Sequence, residues 1–173
     1  MTLAEAIAGT PAPDLIRERL CLLDVCYVSF DDCLHQGQLV IHEEIRQEIL
    51  DLFHVMEKLG FPIARVVPIV RYGWSDEASM QANNSSAFNY RLIAGTERLS
   101  LHARGLAVDI NPFMNPIIYS DGRISPPGAQ YLPGSRGVLT DQGAVVREFL
   151  QRGWRWGGHF QSFKDYHHFE KTL

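Results

Sequence analysis

Between Glu43 and Gly60 the apolar residues Ile45, Ile49, Leu52, Phe53, Met56 and Leu59 recur at helical spacing. That spacing places them on one face of an amphipathic helix, and such a face must be buried against another element. Gly60 stands where a left-handed residue would end the helix. The covering surface is predicted just upstream, where "DVCYVSF" alternates as a strand and "GQLVIH" reads as its partner. Before them, Asp14 is placed to cap a short helix, "LIRERL", after Pro11 and Pro13.

Downstream, the β-branched run "ARVVPIVRY" reads as an edge or bulged strand because Pro68 cannot donate to a ladder. "DEASMQA" reads as a short helix opened by Ser75, "SAFNYRLIAG" as a strand running into a turn, and "GLAVDI" as a compact strand. Residues 111–137 hold five of the 9 prolines and several glycines, and are expected to form a long irregular loop. Thr140 is placed to cap a second helix with Val145, Val146, Phe149 and Leu150 inward, stopped by Gly153. The aromatic terminus "WRWGGHFQSFKDYHHFE" reads as one or two strands. The expected class is α+β: one domain with a small antiparallel sheet flanked by helices. Residues 1–60 are expected to be an extension packed on a core of residues 61–173.

A chain of 173 residues suits one hydrophobic core. A formal net charge of -4 argues against a general nucleic-acid binder, which needs a basic surface. The longest apolar run, "LCLLDVCYVSF", is broken by Asp24 and is too short for a membrane span. The N-terminus lacks the basic region and apolar core of a signal peptide, so the expectation is a cytoplasmic protein or one exported by another route. Oligomeric state is unreadable. Cys21, Cys26 and Cys33 match neither a disulfide framework nor a zinc knuckle, and Cys21 and Cys26 read as small buried hydrophobes.

Two stretches carry chemistry. In "SLHARGLAVDINP", Asp109 lies inside an apolar run, and a buried carboxylate is costly unless paired or bound to a metal. His102 precedes it by seven positions, with Gly105 between them to permit a sharp turn. In "KDYHHFEKTL", Asp165, His167 and His168 fall within four residues. A histidine from that terminal strand would complete a His, Asp, His set, the donor set of a catalytic zinc site with a position left for water. On spacing alone, His102 can equally be a surface turn residue and Asp109 a strand-end cap.

"SLHARGLAVDI" fits the S-x-H-x-x-G-x-A-x-D pattern and "DYHHFE" the D/E-x-x-H pattern of one family. The chain therefore resembles the VanY-like zinc D-alanyl-D-alanine carboxypeptidases and their L-alanyl-D-glutamate endopeptidase relatives, which share the hedgehog/DD-peptidase fold. "WRWGG" is similar to the carboxypeptidase-like branch. The resemblance runs from about Phe88 to Glu170. It implies zinc held by His102, Asp109 and His168, Asp165 as general base, and an arginine that binds the developing oxyanion. Arg91 is preferred for that role over Arg71. It further implies a peptidoglycan stem peptide as substrate. Beside that, Trp156 and Tyr166 read as lining a substrate groove, with a place in the core as the alternative for such terminal aromatics, and Ser100 as a substrate-side residue that fixes the "SLH" turn. Asp165 can alternatively orient His168 as a hydrogen-bond acceptor. An endopeptidase of the phage-lysin type and a non-catalytic zinc module like the hedgehog signalling domains are the rival readings. His159 is expected at the site rim, as is His167. "NPFMNP" reads as a structural turn beside the site, and Glu170 either supports a ligand or is a surface charge.

Overall fold

The computed structural model describes residues 1–173. Two short helices, α1 (Leu3–Ala6) and α2 (Asp14–Arg17), precede an antiparallel hairpin of β1 (Leu20–Val28) and β2 (Leu34–His42). Both predicted strands are present and longer than their patterns suggested. Asp14 opens α2 as its first residue, with Pro13 at the cap, and pairs with Arg17. Helix α3 (Arg46–Lys58) then packs on the hairpin. Ile49, Leu52, Phe53 and Met56 are buried as the helical spacing required, whereas Leu59 caps the helix and is exposed.

The middle of the chain is less regular than its propensities suggest. β3 is only Arg65–Val66, paired in parallel with β4 (Asn84–Ser85). Pro68 ends it by capping a 3₁₀ turn, Ile69–Tyr72. Helix α4 (Asp76–Gln81) begins at Ser75, whose Oγ accepts from Ala78 N. "SAFNYRLIAG" is not a continuous strand. Its strand-like pairing is confined to the isolated Ser86–Asp109 and Leu92–Leu99 bridges.

Three short strands order the functional half. β5 (Ala107–Asp109), β8 (Arg155–Trp156) and β10 (His168–Glu170) form an antiparallel sheet in the order β5-β10-β8. The 111–137 segment is not wholly irregular, since it contains the hairpin of β6 (Ile117–Tyr119) and β7 (Ile124–Ser125). β6 also pairs with β9 (Phe163–Asp165), giving a second sheet in the order β7-β6-β9. Helix α5 (Ala144–Gln151) starts after Gly143, three residues later than a cap at Thr140 would place it. Gly153 follows its end in the left-handed region, at φ 80°.

One core of 24 buried residues joins these parts. The hairpin contributes Leu23, Val25, Leu39 and Ile41, α3 its buried face, α5 Val146 and Phe149, and the β5-β10-β8 sheet Val108, Phe169 and Trp156. Phe149 stacks on Phe169 with ring centroids 3.8 Å apart. At ~25 cal/mol per Å² of apolar surface, such aromatic pairs carry much of the burial energy. The rear of the sheet is thereby locked to the core, and its front is left for chemistry. A smaller cluster of Ala6, Ala12, Leu20, Val40 and Phe88 covers the hairpin elsewhere. No helix is long and apolar enough to cross a membrane.

Candidate metal centre

His102 is set by a tight local device. Ser100 caps the 3₁₀ turn Leu101–Arg104, and its Oγ accepts from His102 N at 3.2 Å. Gly105 then reverses the chain at φ +67°, where a Cβ would lie 2.6 Å from His42 N. Only glycine tolerates both the angle and the approach. The chain enters β5 and reaches Asp109, whose backbone exchanges hydrogen bonds with Ser86 at 2.8 and 3.1 Å. Across the other edge, Asp109 stands directly opposite His168.

The donor atoms converge. His102 Nε2 lies 3.0 Å from His168 Nδ1 and 3.2 Å from Asp109 Oδ1, and His168 Nδ1 lies 3.0 Å from the same oxygen. His102, Asp109 and His168 are all buried. His102 Nδ1 sits 2.5 Å from Ala87 O, and a carbonyl can only accept, so Nδ1 carries the proton and Nε2 turns its lone pair inward. His168 Nε2 donates to Glu170 Oε2 at 3.2 Å, so Nδ1 likewise faces inward. Two lone pairs and a carboxylate oxygen this close repel one another unless a cation lies between them. Zinc bonds of about 2.0–2.1 Å at tetrahedral angles separate donors by about 3.3 Å, close to the spacing found. The set therefore fits a metal, and Ala87 O and Glu170 orient the two rings from behind.

The electrostatics agree. In the metal-free protein, with protons and not a metal on the inward nitrogens, burial would raise the Asp109 carboxyl, but the charges of His102 and His167 and hydrogen bonds from His102 and His168 hold it well below the usual carboxylate range. Burial would lower His168, yet its bonds to Asp109 and Glu170 push it up to about 10 in the metal-free protein. Glu170 is itself lowered, first by its bond to His168 and then by that charge and Arg155. Glu170 holds the His168 ring and is not a free surface charge.

His167 is no rim residue. It is 2 % exposed, its Nδ1 donates to Asn115 O at 2.7 Å, and its Nε2 lies 3.0 Å from Asp165 Oδ1 and 4.0 Å from Asp109 Oδ2. Asp165 Oδ1 has no hydrogen-bond partner of good geometry. The pair interacts by charge. Strand alternation would turn His167 and His168 to opposite faces, and the chain escapes that rule by changing sheets. β9 ends at Asp165, Tyr166 and His167 make the crossing, and β10 begins at His168 in the other sheet.

The remaining predicted residues are dispersed around this centre. Asp165 approaches it through His167. Arg91 Nη2 is held 3.0 Å from Asp76 Oδ2, with Nε buried and unbonded, and it makes no direct contact with the three donors. Its carbonyl accepts from Ser100 N, so it is tied to the "SLH" turn by the backbone. Arg71 lies on a surface cleft beside Met1, Asp24 and Gln38. Trp156 is buried and donates its indole N–H to Tyr166 O, and half-buried Tyr166 stacks on Tyr131 at 3.7 Å. His159 is exposed and pairs with Asp141. Cys26 and Cys33 are exposed and Cys21 is buried, its thiol pushed up to about 12 by burial and Glu43. Cys26 alone of the pair expected inside lies outside. A cleft of about 280 Å³ lined by Phe61, Pro62, Leu139 and Val145 contains none of the donor residues, so the chemistry and not this void marks the site.

Sequence reasoning missed Asn115. Its Nδ2 faces the carbonyls of Ile110, Asn111 and Gly137, and its Oδ1 accepts from Leu139 N at 2.7 Å. Asn111 bonds Pro62 O, Gly137 O and Ala64 N in the same way. The available signal was two asparagines, each followed by proline, directly after the ligand strand. They make the turn expected of "NPFMNP" into a rigid floor under His167.

The family model described as D-alanyl-D-alanine carboxypeptidase matches residues 94–171. No curated protein and no solved structure matches the chain. The matched segment contains His102, Asp109, Asp165 and His168 and all three strands of the β5-β10-β8 sheet. That match, together with the buried His-Asp-His centre, makes residues 94–171 similar to the VanY-like D-alanyl-D-alanine carboxypeptidase family of peptidases.

Proposed function

We propose that the protein is a zinc-dependent peptidase that cleaves peptidoglycan stem peptides, acting as a carboxypeptidase on the terminal D-alanyl-D-alanine bond. The observation that carries this reading is the convergence of His102 Nε2, Asp109 Oδ1 and His168 Nδ1 at 3.0–3.2 Å with both lone pairs inward. These three residues would hold the metal. Zinc in such a site supplies Lewis acidity, polarising a carbonyl and bringing the pKa of a water towards neutrality.

The chain's own residues supply the rest. Asp165, partly exposed and with one oxygen buried against His167, takes the proton of the attacking water and passes it to the leaving amine. His167 lies against that carboxylate and keeps it aimed. Arg91, steadied by Asp76 and tied to the "SLH" turn by the bond from Ser100 N to its carbonyl, is assigned to the oxyanion. Ser100 spends its hydroxyl on His102 N, so its part is to fix the turn, while Tyr166, backed by Trp156, offers an apolar wall.

The test is metal analysis of protein purified without chelator, with product analysis on isolated muropeptides. Loss of a terminal D-alanine is the expected product, and cleavage between L-alanine and D-glutamate would identify the endopeptidase instead. Asp165→Asn should lower turnover by roughly a hundred-fold or more while zinc content is kept. A fully active Asp165→Asn protein would remove Asp165 from the role of base, and a zinc-loaded wild type without hydrolysis would leave a binding module.

A further inference from the structure

The register of the β5-β10-β8 sheet puts one more charged group on the face that carries the metal donors. Asp109 is opposite His168, and Glu170 is opposite Arg155. Directly opposed residues of antiparallel strands project to the same side, as do residues two apart in one strand. Asp109, His168, Glu170 and Arg155 therefore share a face, while Val108, Phe169 and Trp156 fill the other and are buried in the core.

Arg155 is anchored but open. Its Nη1 lies 3.2 Å from Glu170 Oε1, its guanidinium sits 5.7 Å from the centroid of the Phe160 ring, and its side chain is 66 % exposed. A guanidinium has five N–H donors in a planar fork suited to a carboxylate, and one contact with Glu170 leaves most of them unused. The other oxygen of Glu170 holds His168 Nε2, so a single carboxylate ties this cation to a metal donor. Three other cations are committed elsewhere. Lys164 Nζ donates to Phe160 O, Arg123 pairs with Asp121 and lies over Tyr119, and Arg91 is bound by Asp76.

We propose that Arg155 binds the free C-terminal carboxylate of the peptide substrate and so selects the terminal residue for removal. This deepens the reading of the site as a carboxypeptidase and rests on it. In a chain cut at its last bond, the carboxylate follows the scissile carbonyl by one residue, about 3.8 Å. Glu170 is two residues along β10 from His168, about 7 Å, and Arg155 reaches back over Phe160 from the adjoining strand. An endopeptidase substrate continues as an amide past that point and has no charge to offer.

The test uses zinc-loaded Asp165→Asn protein, so that peptide binds without turnover. An N-acetylated peptide ending in D-alanyl-D-alanine is titrated calorimetrically as the free acid and as its C-terminal amide. The acid should bind about ten- to a hundred-fold more tightly, as a charge-assisted hydrogen bond permits. Adding Arg155→Gln should remove most of that difference, and Arg155→Lys should restore part of it. Equal binding of acid and amide to the parent, or a difference that survives Arg155→Gln, overturns the proposal. So does a large loss of zinc affinity in Arg155→Gln, which would mean that the residue acts through Glu170. If wild-type protein cleaves no such peptide, the carboxypeptidase reading fails, while the acid-over-amide preference is still decided by the titration.

Discussion

His102 Nε2 and His168 Nδ1, 66 residues apart in the chain, face each other at 3.0 Å with Asp109 Oδ1 within 3.2 Å of both. Without a metal this triangle is stable only if it holds a proton. His168 is raised from 6.5 to about 10 and His167 from 6.5 to about 9, burial being outweighed by the carboxylates of Asp109, Asp165 and, for His168, Glu170. A raised pKa stabilises the fold below the unfolded value, and that contribution is lost as pH rises through the folded value. The metal-free protein should therefore lose stability from about pH 7 to pH 10, measured by denaturant midpoint. Zinc titrated at pH 7.5 should release about one proton or more per metal, measured calorimetrically in buffers of different ionisation enthalpy. No proton release would mean that the site is already deprotonated and open.

The two adjacent histidines should separate by metal content. His168→Ala removes a donor and is expected to empty the site and abolish turnover. His167→Ala should keep the metal but lower kcat by about ten-fold or more, because Asp165 loses the neighbour that aims it. An empty His167→Ala protein would transfer the ligand role to His167 and require a new assignment for Asp165.

Arg91→Ala should lower kcat by about a hundred- to a thousand-fold with zinc and fold retained, the usual cost of one oxyanion donor. Arg71→Ala should do little, since Arg71 lies on the Met1–Asp24 cleft. Asp76→Asn, which frees Arg91, should lie between them. Steady-state kinetics on the three variants would decide the order, and a reversed order would move the role to Arg71.

Gly157→Ala should injure activity without touching a donor. A Cβ at Gly157 would collide with the Asp165 carbonyl oxygen and lie 2.8 Å from Asp165 Cβ. Backbone cannot yield here as a side-chain tip can, so β9 must shift and take the base with it. A fall in kcat of at least about ten-fold with unchanged zinc content is expected, since misplacement by about 1 Å can cost a hundred-fold. Wild-type turnover would show that Asp165 is not held by this contact.

Local pattern determined the parts of this protein whose cause is local. The spacing of Ile49, Leu52, Phe53 and Met56 made α3 legible, and alternation did the same for β1 and β2, because burial acts on one helical stripe or one strand face at a time. Gly105 between His102 and Asp109 made the first half of the metal site legible for the same reason, since one turn joins both donors. Long-range pairing decided the rest. "SAFNYRLIAG" has strand propensity but finds only isolated bridges, and the segment 111–137 looks irregular until β9 returns to pair with β6. Asp165, His167 and His168 could not be sorted by alternation, because the chain leaves one sheet and enters another between them. Arg155 is an ordinary exposed arginine in sequence. It joins the metal donors only because β8 pairs with β10 in the register that sets it opposite Glu170, and register is a property of two distant strands meeting, which no single stretch of sequence contains.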